Sequence, residues 1–492
     1  MLSIEDLEDK LMNDFRAYDV NKLSIQEFKS ETNGYDRAGR IQKIIGDVVN
    51  SMNLISDSAH QSQSLDPPFL YFNGEVYQYV EYRLFRKCVR EFLYGIGMKP
   101  QDWLRFNGHI MSAAKEPVIL KKFIKEPRYV AFKNCIVDFE NLTTHSFSPQ
   151  VHIDHQLDYD FDLTQDCPKW KLFLNQVLPN KTAQNIIQQF FGLAFLDRYN
   201  NEHKVEKALI LVGEGSNGKS VIFETIMNIF GTSNISNMDL NSLSKGGDEG
   251  QRNMLMLDGK RFNYCSEEQI GKVIQRSDIF KTLVSGEPVY ARRIGGNSFR
   301  VHNIPFLVFN MNKLPKFNDD THGLYRRLLI VSFNVIIPDE LQDRQLAFKL
   351  KEERPGILKW LYEGYRTLKA NKFQFITDSE LEKVNVRFME SQDPIRAWLN
   401  SMQLRAKPIY GAEGDEPQEM LSADMYDSYL AYCEAKNIAS ESIQKWGRSM
   451  SDKGFKKNRR SNGMVYTFYG DREKVVHDTE IIAHTEGVAK ID

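Results

Sequence analysis

One short run constrains this chain more than any other. Gly213, Glu214, Gly215, Ser216, Asn217, Gly218, Lys219 and Ser220 fit the pattern G-x-x-x-x-G-K-[ST]. The apolar run 207–212 precedes it and reads as a buried strand. Residues 221–230 follow and have the apolar period of a helix. A strand, a glycine-rich turn and a helix in that order form a loop whose backbone N–H groups can surround phosphate oxygens. In such a loop Lys219 places a cation at the β- and γ-phosphates and Ser220 offers a hydroxyl to Mg²⁺. A strand feeding a helix in this way also demands a layered α/β fold.

Carboxylates are needed next, one for the metal and one to activate water. The strand-like run 261–266 ends in Glu267 and Glu268. We assign Glu267 mainly to the Mg²⁺ shell and Glu268 to the attacking water, a division that could be reversed. The run 304–309 leads into Asn310, Met311 and Asn312, where an amide at a strand end can orient water and sense the γ-phosphate. Asn312 is the choice, because it stands three residues before Pro315, and Asn310 is the rival. Arg326 and Arg327 precede the strand-like run 328–333. Either could reach a neighbouring subunit's γ-phosphate as an arginine finger.

Basic residues cluster in two further places. Lys281 precedes Gly286 and Glu287, and two short strands then flank Gly295, Gly296 and Asn297, with Arg292, Arg293 and Arg300 on the flanks. A protruding basic hairpin suits a phosphate backbone. Near the C-terminus, residues 424–436 and 441–453 read as helices, and 455–469 reads as a two-stranded wing around Asn462 and Gly463. Residues 441–470 hold seven bases against two acids in a chain whose net charge is −2. Helix, helix and basic wing predict a winged-helix-like module. Its second helix, with Lys445 and Arg448, would enter the major groove, and Lys456, Lys457, Arg459 and Arg460 would meet phosphates.

The near-neutral total charge excludes a globally basic nucleic-acid binder, so any such surface is local. No apolar run approaches the ~20 residues needed to cross a bilayer. The five cysteines are scattered without Cys-x-x-Cys spacing, which argues against a zinc site or a disulfide framework. The acidic start, without a basic n-region or apolar h-region, gives no sign of a signal peptide, and a cytoplasmic location is expected. The expected organisation is a helical segment 1–66, a mixed α+β domain 67–203, an ATPase domain 204–403, the module 420–470 and a polar tail 471–492. The stretch 411–419 reads as a linker.

Phosphate loop, strand-end Glu267-Glu268, Lys281 with its hairpin, strand-end Asn312 and Arg326-Arg327, in that order, resemble the superfamily 3 DNA helicases. The likeness is to the phage, plasmid and poxvirus primase–helicase branch. Asn134 to Asp138, Ser148-Pro149, Tyr159-Asp160, Cys167 to Trp170 and Phe191-Gly192 resemble the domain that precedes the ATPase there. The resemblance covers roughly residues 70–470. It implies an AAA+-like core, ATP and Mg²⁺ as cofactors, hexameric rings with ATP held between subunits, and 3′ to 5′ translocation on single-stranded or forked DNA. It also places Lys281 and the hairpin inside the ring. The hairpin tip lacks the family's lysine, and Gly286-Glu287 stands where Gly-Asp is usual. About 60 residues precede the matching region, too few for a primase domain, so a separate primase is expected. Two rival readings predict different behaviour: a protein-remodelling ATPase indifferent to DNA, and an ATP-regulated replication initiator that forms rings without unwinding.

Overall fold

The structure is a computed structural model. It describes residues 2–17, 34–56, 69–121, 123, 128–198, 203–265, 277–293, 297–313, 322–408, 416–461 and 463–471. The chain divides into two compact units. The larger comprises Met1–Ile270, Asp278–Lys313 and Phe333–Ile376; the smaller comprises Gly271–Ser277, Leu314–Ser332 and Thr377–Asp492.

At the start of the larger unit, the helices Ile4–Ala17, Gly34–Ser51, Tyr82–Gly95 and Pro100–Leu120 enclose one apolar core. Leu7, Leu11 and Phe15 on the first and Ile41, Ile45 and Val48 on the second are buried, as the helical spacing requires. Three antiparallel strands, Leu54–Ser56, Phe69–Phe72 and Tyr77–Val80, belong to the same region. Asn73-Gly74, a dipeptide that favours hairpin turns, forms a tight turn, with Phe72 opposite Tyr77 and Gly74 at φ +101°. Residues on both sides of position 66 share this core.

The run 129–139, strand-like throughout in sequence, folds back on itself. Tyr129–Ala131 pairs antiparallel with Ile136–Asp138, which pairs with Thr143–His145. Phe132 N–H bonds to the Cys135 carbonyl at 2.8 Å and closes the turn. Alternation alone does not reveal such a reversal inside an apolar run.

The candidate site residues hang on parallel strands of the larger unit, in the order Ala208–Val212, Phe306–Met311, Phe262–Cys265, Ile235–Ser236. Val308 lies opposite Leu209 and opposite Tyr264, which fixes the registers of the first three. All six residues of Phe306–Met311 are buried, the pattern of a strand covered on both faces. Helices Lys219–Phe230, Lys181–Gly192 and Arg354–Ala370 pack alongside. Gly192 and Gly364 permit the last two to touch backbone to backbone. A Cβ on Gly192 would come within 2.6 Å of the Leu361 carbonyl oxygen.

In the smaller unit, helices Pro394–Ser401, Ser422–Ala435 and Ile443–Asp452 surround Trp398, Tyr429 and Trp446. The basic strand Lys456–Arg460 pairs with Gly463–Phe468, as the wing reading expects. A third strand, Gln418–Leu421, covers the other edge of Gly463–Phe468, so the sheet has three strands. Its residues fall partly within the expected linker. Only Met420 of the four is buried, so the strand carries little apolar signal.

Candidate functional site

The loop after Ala208–Val212 is shaped by its own side chains. Ser216 and Gly218 both have positive φ, +59° and +87°. Alternation of this kind bends consecutive N–H groups into a concavity. Asn217 is buried and braces the loop. Its amide nitrogen donates to the Glu214 carbonyl at 2.7 Å and the Phe333 carbonyl at 3.3 Å. Its Oδ1 accepts from the Lys219 ammonium at 2.9 Å. Lys219 Nζ also donates to the Gly213 carbonyl. Burial lowers the Lys219 pKa. The Ser216 carbonyl accepts from Ile337 N–H at 2.9 Å, which joins the loop to the segment after residue 333.

Space around the loop is tight on the protein side. A Cβ on Gly213 would stand 2.5 Å from the Phe333 carbonyl oxygen. A Cβ on Gly218 would stand 2.8 Å from Val177 Cγ1 and 3.0 Å from the Phe173 ring. Helix Lys219–Phe230 starts at Gly218 with no side-chain cap on its N-terminus. Its first-turn N–H groups therefore face a position suited to an anion.

A cleft of about 1080 Å³ opens over this loop. Residues 215–220 line it, with Asn310 and Asn312. Lys169, Leu172, Phe173 and Gln176 form one further wall, and residues 335–349 supply another. Gly215, Ser216 and Ser220 are exposed, while Lys219 is buried. The two asparagines differ in kind. Asn312 is exposed at the end of its strand. Asn310 is buried, accepts from the Tyr264 hydroxyl at 3.1 Å, and reaches the Lys219 carbonyl with its amide at 3.5 Å. Desolvation holds the Tyr264 phenol far above its ordinary pKa, so it remains a donor.

The structure thus brings Gly213 to Ser220, Asn310 and Asn312 into one place. Glu267 and Glu268 lie outside the described residues. Arg326 and Arg327 belong to the smaller unit, after the short helix His322–Tyr325; Arg326 is exposed, and Arg327 donates to the Gly323 carbonyl at 2.6 Å. Sequence reasoning did not find the helix Pro168–Val177 as a wall of the cleft, nor the 335–349 segment. At helical spacing, Phe173 and Val177 mark only an apolar helix face. Their packing on Gly218 depends on a contact some 40 residues away in sequence.

The basic hairpin consists of Val289–Arg292 and Ser298–Val301, with Arg292 opposite Ser298. Its tip, including Gly295 and Gly296, lies outside the described residues. Arg292 pairs with Asp248 at 3.1 Å. Arg300 is exposed and lies over Tyr290, 5.2 Å from the ring centre, while Arg293 lies 5.8 Å from that of Phe299. Lys281 sits on the preceding helix Ser277–Val284.

In the smaller unit, every residue of Lys456–Arg460 is exposed. Lys445 and Arg448 are exposed on the helix Ile443–Asp452. Lys445 pairs with Glu441 at 2.8 Å. Arg460 makes a two-pronged bond to Glu419, Nε to Oε2 at 2.9 Å and an outer nitrogen to Oε1 at 2.6 Å. Among the described residues, no cluster of three or more His, Cys, Asp or Glu could hold a metal, and no helix is long and apolar enough to cross a membrane.

Comparisons with known proteins bear on two parts of the chain. A family described as D5 N terminal like matches residues 102–179. A family of unknown function, DUF5906, matches residues 211–327, beginning just before the glycine loop. A protein of Invertebrate iridescent virus 6 named "Putative helicase 184R" is 25% identical over 244 residues, 47% of this chain. The chain spans 25% of that curated relative's length. Two solved apo structures of the NrS-1 C terminal region resemble the chain at TM-score 0.45, with 13% and 12% identity. They cover 82% and 88% of this chain and 94% and 98% of their own. The D5-type match and the viral relative fit a phage or viral primase–helicase family.

Proposed function

We propose that this chain is an ATP-dependent, ring-forming DNA helicase that serves the replication of a phage, plasmid or virus. One observation carries the reading: the glycine loop, the uncapped helix start, Lys219, Ser220 and the strand-end asparagines meet on one cleft. The donor set fits a nucleoside triphosphate with its metal. The loop's backbone and Lys219 would hold the phosphates, and the exposed Ser220 hydroxyl would face Mg²⁺. When bound, Mg²⁺ would neutralise negative charge on the phosphates. Glu267 would complete its shell and Glu268 would draw the proton from water. Asn312, or its rival Asn310, would hold that water through its amide. The buried Asn310–Tyr264 bond supports Asn310 as the fixed partner and leaves the exposed Asn312 to meet the γ-phosphate. Arg326 or Arg327 would act on a neighbouring subunit's pocket, which makes the ring, by resemblance a hexamer, part of the site.

Arg292, Arg293, Arg300 and Lys281 would contact single-stranded DNA, and movement from 3′ to 5′ follows by resemblance. The smaller unit's exposed basic strand supports duplex binding at an origin. That strand also favours the second reading, an initiator whose ATP site governs assembly alone. A forked-DNA unwinding assay of wild type beside Lys219→Ala decides between them. ATP-dependent unwinding by the wild type and none by the variant is the expected result. ATP turnover and origin binding without strand separation would replace the helicase by the initiator.

A further inference from the structure

The basic hairpin 289–301 leaves the core and returns to it at two feet, and one partly buried side chain, Arg198, holds both. Arg198 donates to the carbonyl of Val284 and lies 3.4 Å from that of Leu283, where helix Ser277–Val284 ends and the chain enters the hairpin. The same guanidinium donates to the carbonyls of Pro305 at 2.8 Å and Ile304 at 3.2 Å, where the chain leaves the hairpin. Its plane lies over Phe306, 4.4 Å from the ring centre, on the strand that carries Asn310.

Three features make this a built contact. First, a planar fork of five N–H donors can serve four carbonyls on two segments, which an ammonium cannot do in the same geometry. Second, two of the acceptors are the last carbonyls of a helix, the negative end of its dipole. Third, Gly286 turns the chain at φ +71°, and a Cβ there would come within 2.6 Å of Arg198 Nε. Burial of the guanidinium pulls its pKa down to about 9, still high enough to keep the charge at neutral pH.

We propose that Arg198 is a positioning residue that ties both feet of the basic hairpin to the strand carrying Asn310, so that single-stranded DNA held by the hairpin is felt at the nucleotide cleft. The proposal rests on the helicase reading for its second half only. Displacement of the hairpin strains the four carbonyl bonds together, and the Phe306 ring passes that strain into Phe306–Met311. Arg198 itself touches neither nucleotide nor DNA.

The test uses the full chain with Arg198→Lys, Arg198→Met and Gly286→Ala, and two readouts. In hydrogen exchange, the amides of residues 289–292 and 298–301 are expected to exchange at least fivefold faster in all three variants. Those of helix Lys219–Phe230 should be unchanged. In ATP turnover with and without oligo-dT, the basal rate should stay within about twofold of wild type while stimulation by DNA falls at least fivefold, with Arg198→Lys recovering part of it. Unchanged hairpin exchange in folded Arg198→Met overturns the clamp. Faster hairpin exchange with undiminished stimulation overturns the coupling. A wild type that DNA does not stimulate refutes the helicase reading and the coupling together, and leaves the clamp to be judged by exchange. If Arg198→Met melts below the assay temperature, Gly286→Ala decides, since it displaces the same guanidinium without deleting it.

Discussion

The Lys219 ammonium donates to Asn217 Oδ1 at 2.9 Å, and Asn217 holds that position through its bond to Glu214. The Phe333 carbonyl, which accepts from the same Asn217 amide at 3.3 Å, anchors the brace from outside the loop. Lys219→Ala is expected to abolish ATP turnover, while Asn217→Ala should raise the KM for ATP about tenfold with a smaller fall in kcat. Both can be measured by phosphate release. Equal KM in Asn217→Ala and wild type would show that the loop needs no brace. Because burial lowers the Lys219 pKa, the charged lysine is held in the folded state at a cost. Lys219→Ala should therefore shift Tm by only a few degrees.

Gly218 leaves no room for a side chain between the loop and the helix Pro168–Val177. Gly218→Ala should lose nucleotide binding and destabilise by ~1–3 kcal/mol, from overpacking against Val177 and Phe173 and from the positive φ. Adding Val177→Ala should restore part of the stability by making space, but not the strain-free backbone. A fluorescent ATP analogue and a thermal melt read both effects. Full binding by Gly218→Ala would contradict the tight packing described above.

Asn310 and Asn312 can be separated by stability. Asn310→Ala removes the acceptor of a buried Tyr264 hydroxyl, which costs ~1–3 kcal/mol, and it should stop hydrolysis. Asn312→Ala, at an exposed position, should stop or slow hydrolysis with no change in Tm. Normal turnover in Asn312→Ala would remove it from the site and leave Asn310 alone.

Glu353 is a buried carboxylate that accepts from the backbone N–H groups of Lys169 and Trp170, both at 3.0 Å, at the start of the helix that walls the cleft. Glu353→Ala should cost ~1–3 kcal/mol in urea unfolding and raise the KM for ATP, because that wall is released. Glu353→Gln keeps one acceptor oxygen and should do less. Identical urea midpoints would sink this assignment.

The basic strand of the smaller unit is not uniform. Arg460 already answers Glu419, whereas Lys456, Lys457 and Arg459 face solvent. Alanine at Lys456, Lys457 or Arg459 should weaken duplex binding for all sequences and reduce the salt slope by about one each. Arg460→Ala should change the slope least. A larger loss at Arg460 than at Lys457 would show that the Glu419 bond opens on DNA.

The sequence alone determined the loop, because glycine, lysine and serine at fixed spacing answer to local backbone geometry, and the apolar runs around it answer to burial on a strand and a helix. It also determined the faces of the N-terminal helices, where Leu7, Leu11 and Phe15 recur at helical spacing, and the turn at Asn73-Gly74. The tertiary structure alone decided that Asn310 is locked to Tyr264 while Asn312 is open. The two stand two residues apart, Asn310 inside Phe306–Met311 and Asn312 just past its end, and only the neighbouring strand tells them apart. It alone decided that the third strand Gln418–Leu421 completes the C-terminal sheet, and that Phe173, Glu353 and Arg198 bear on sites far from them in the chain. Local periodicity records which face of an element is apolar; which partner fills that face is set by long-range packing, and carries no local signal.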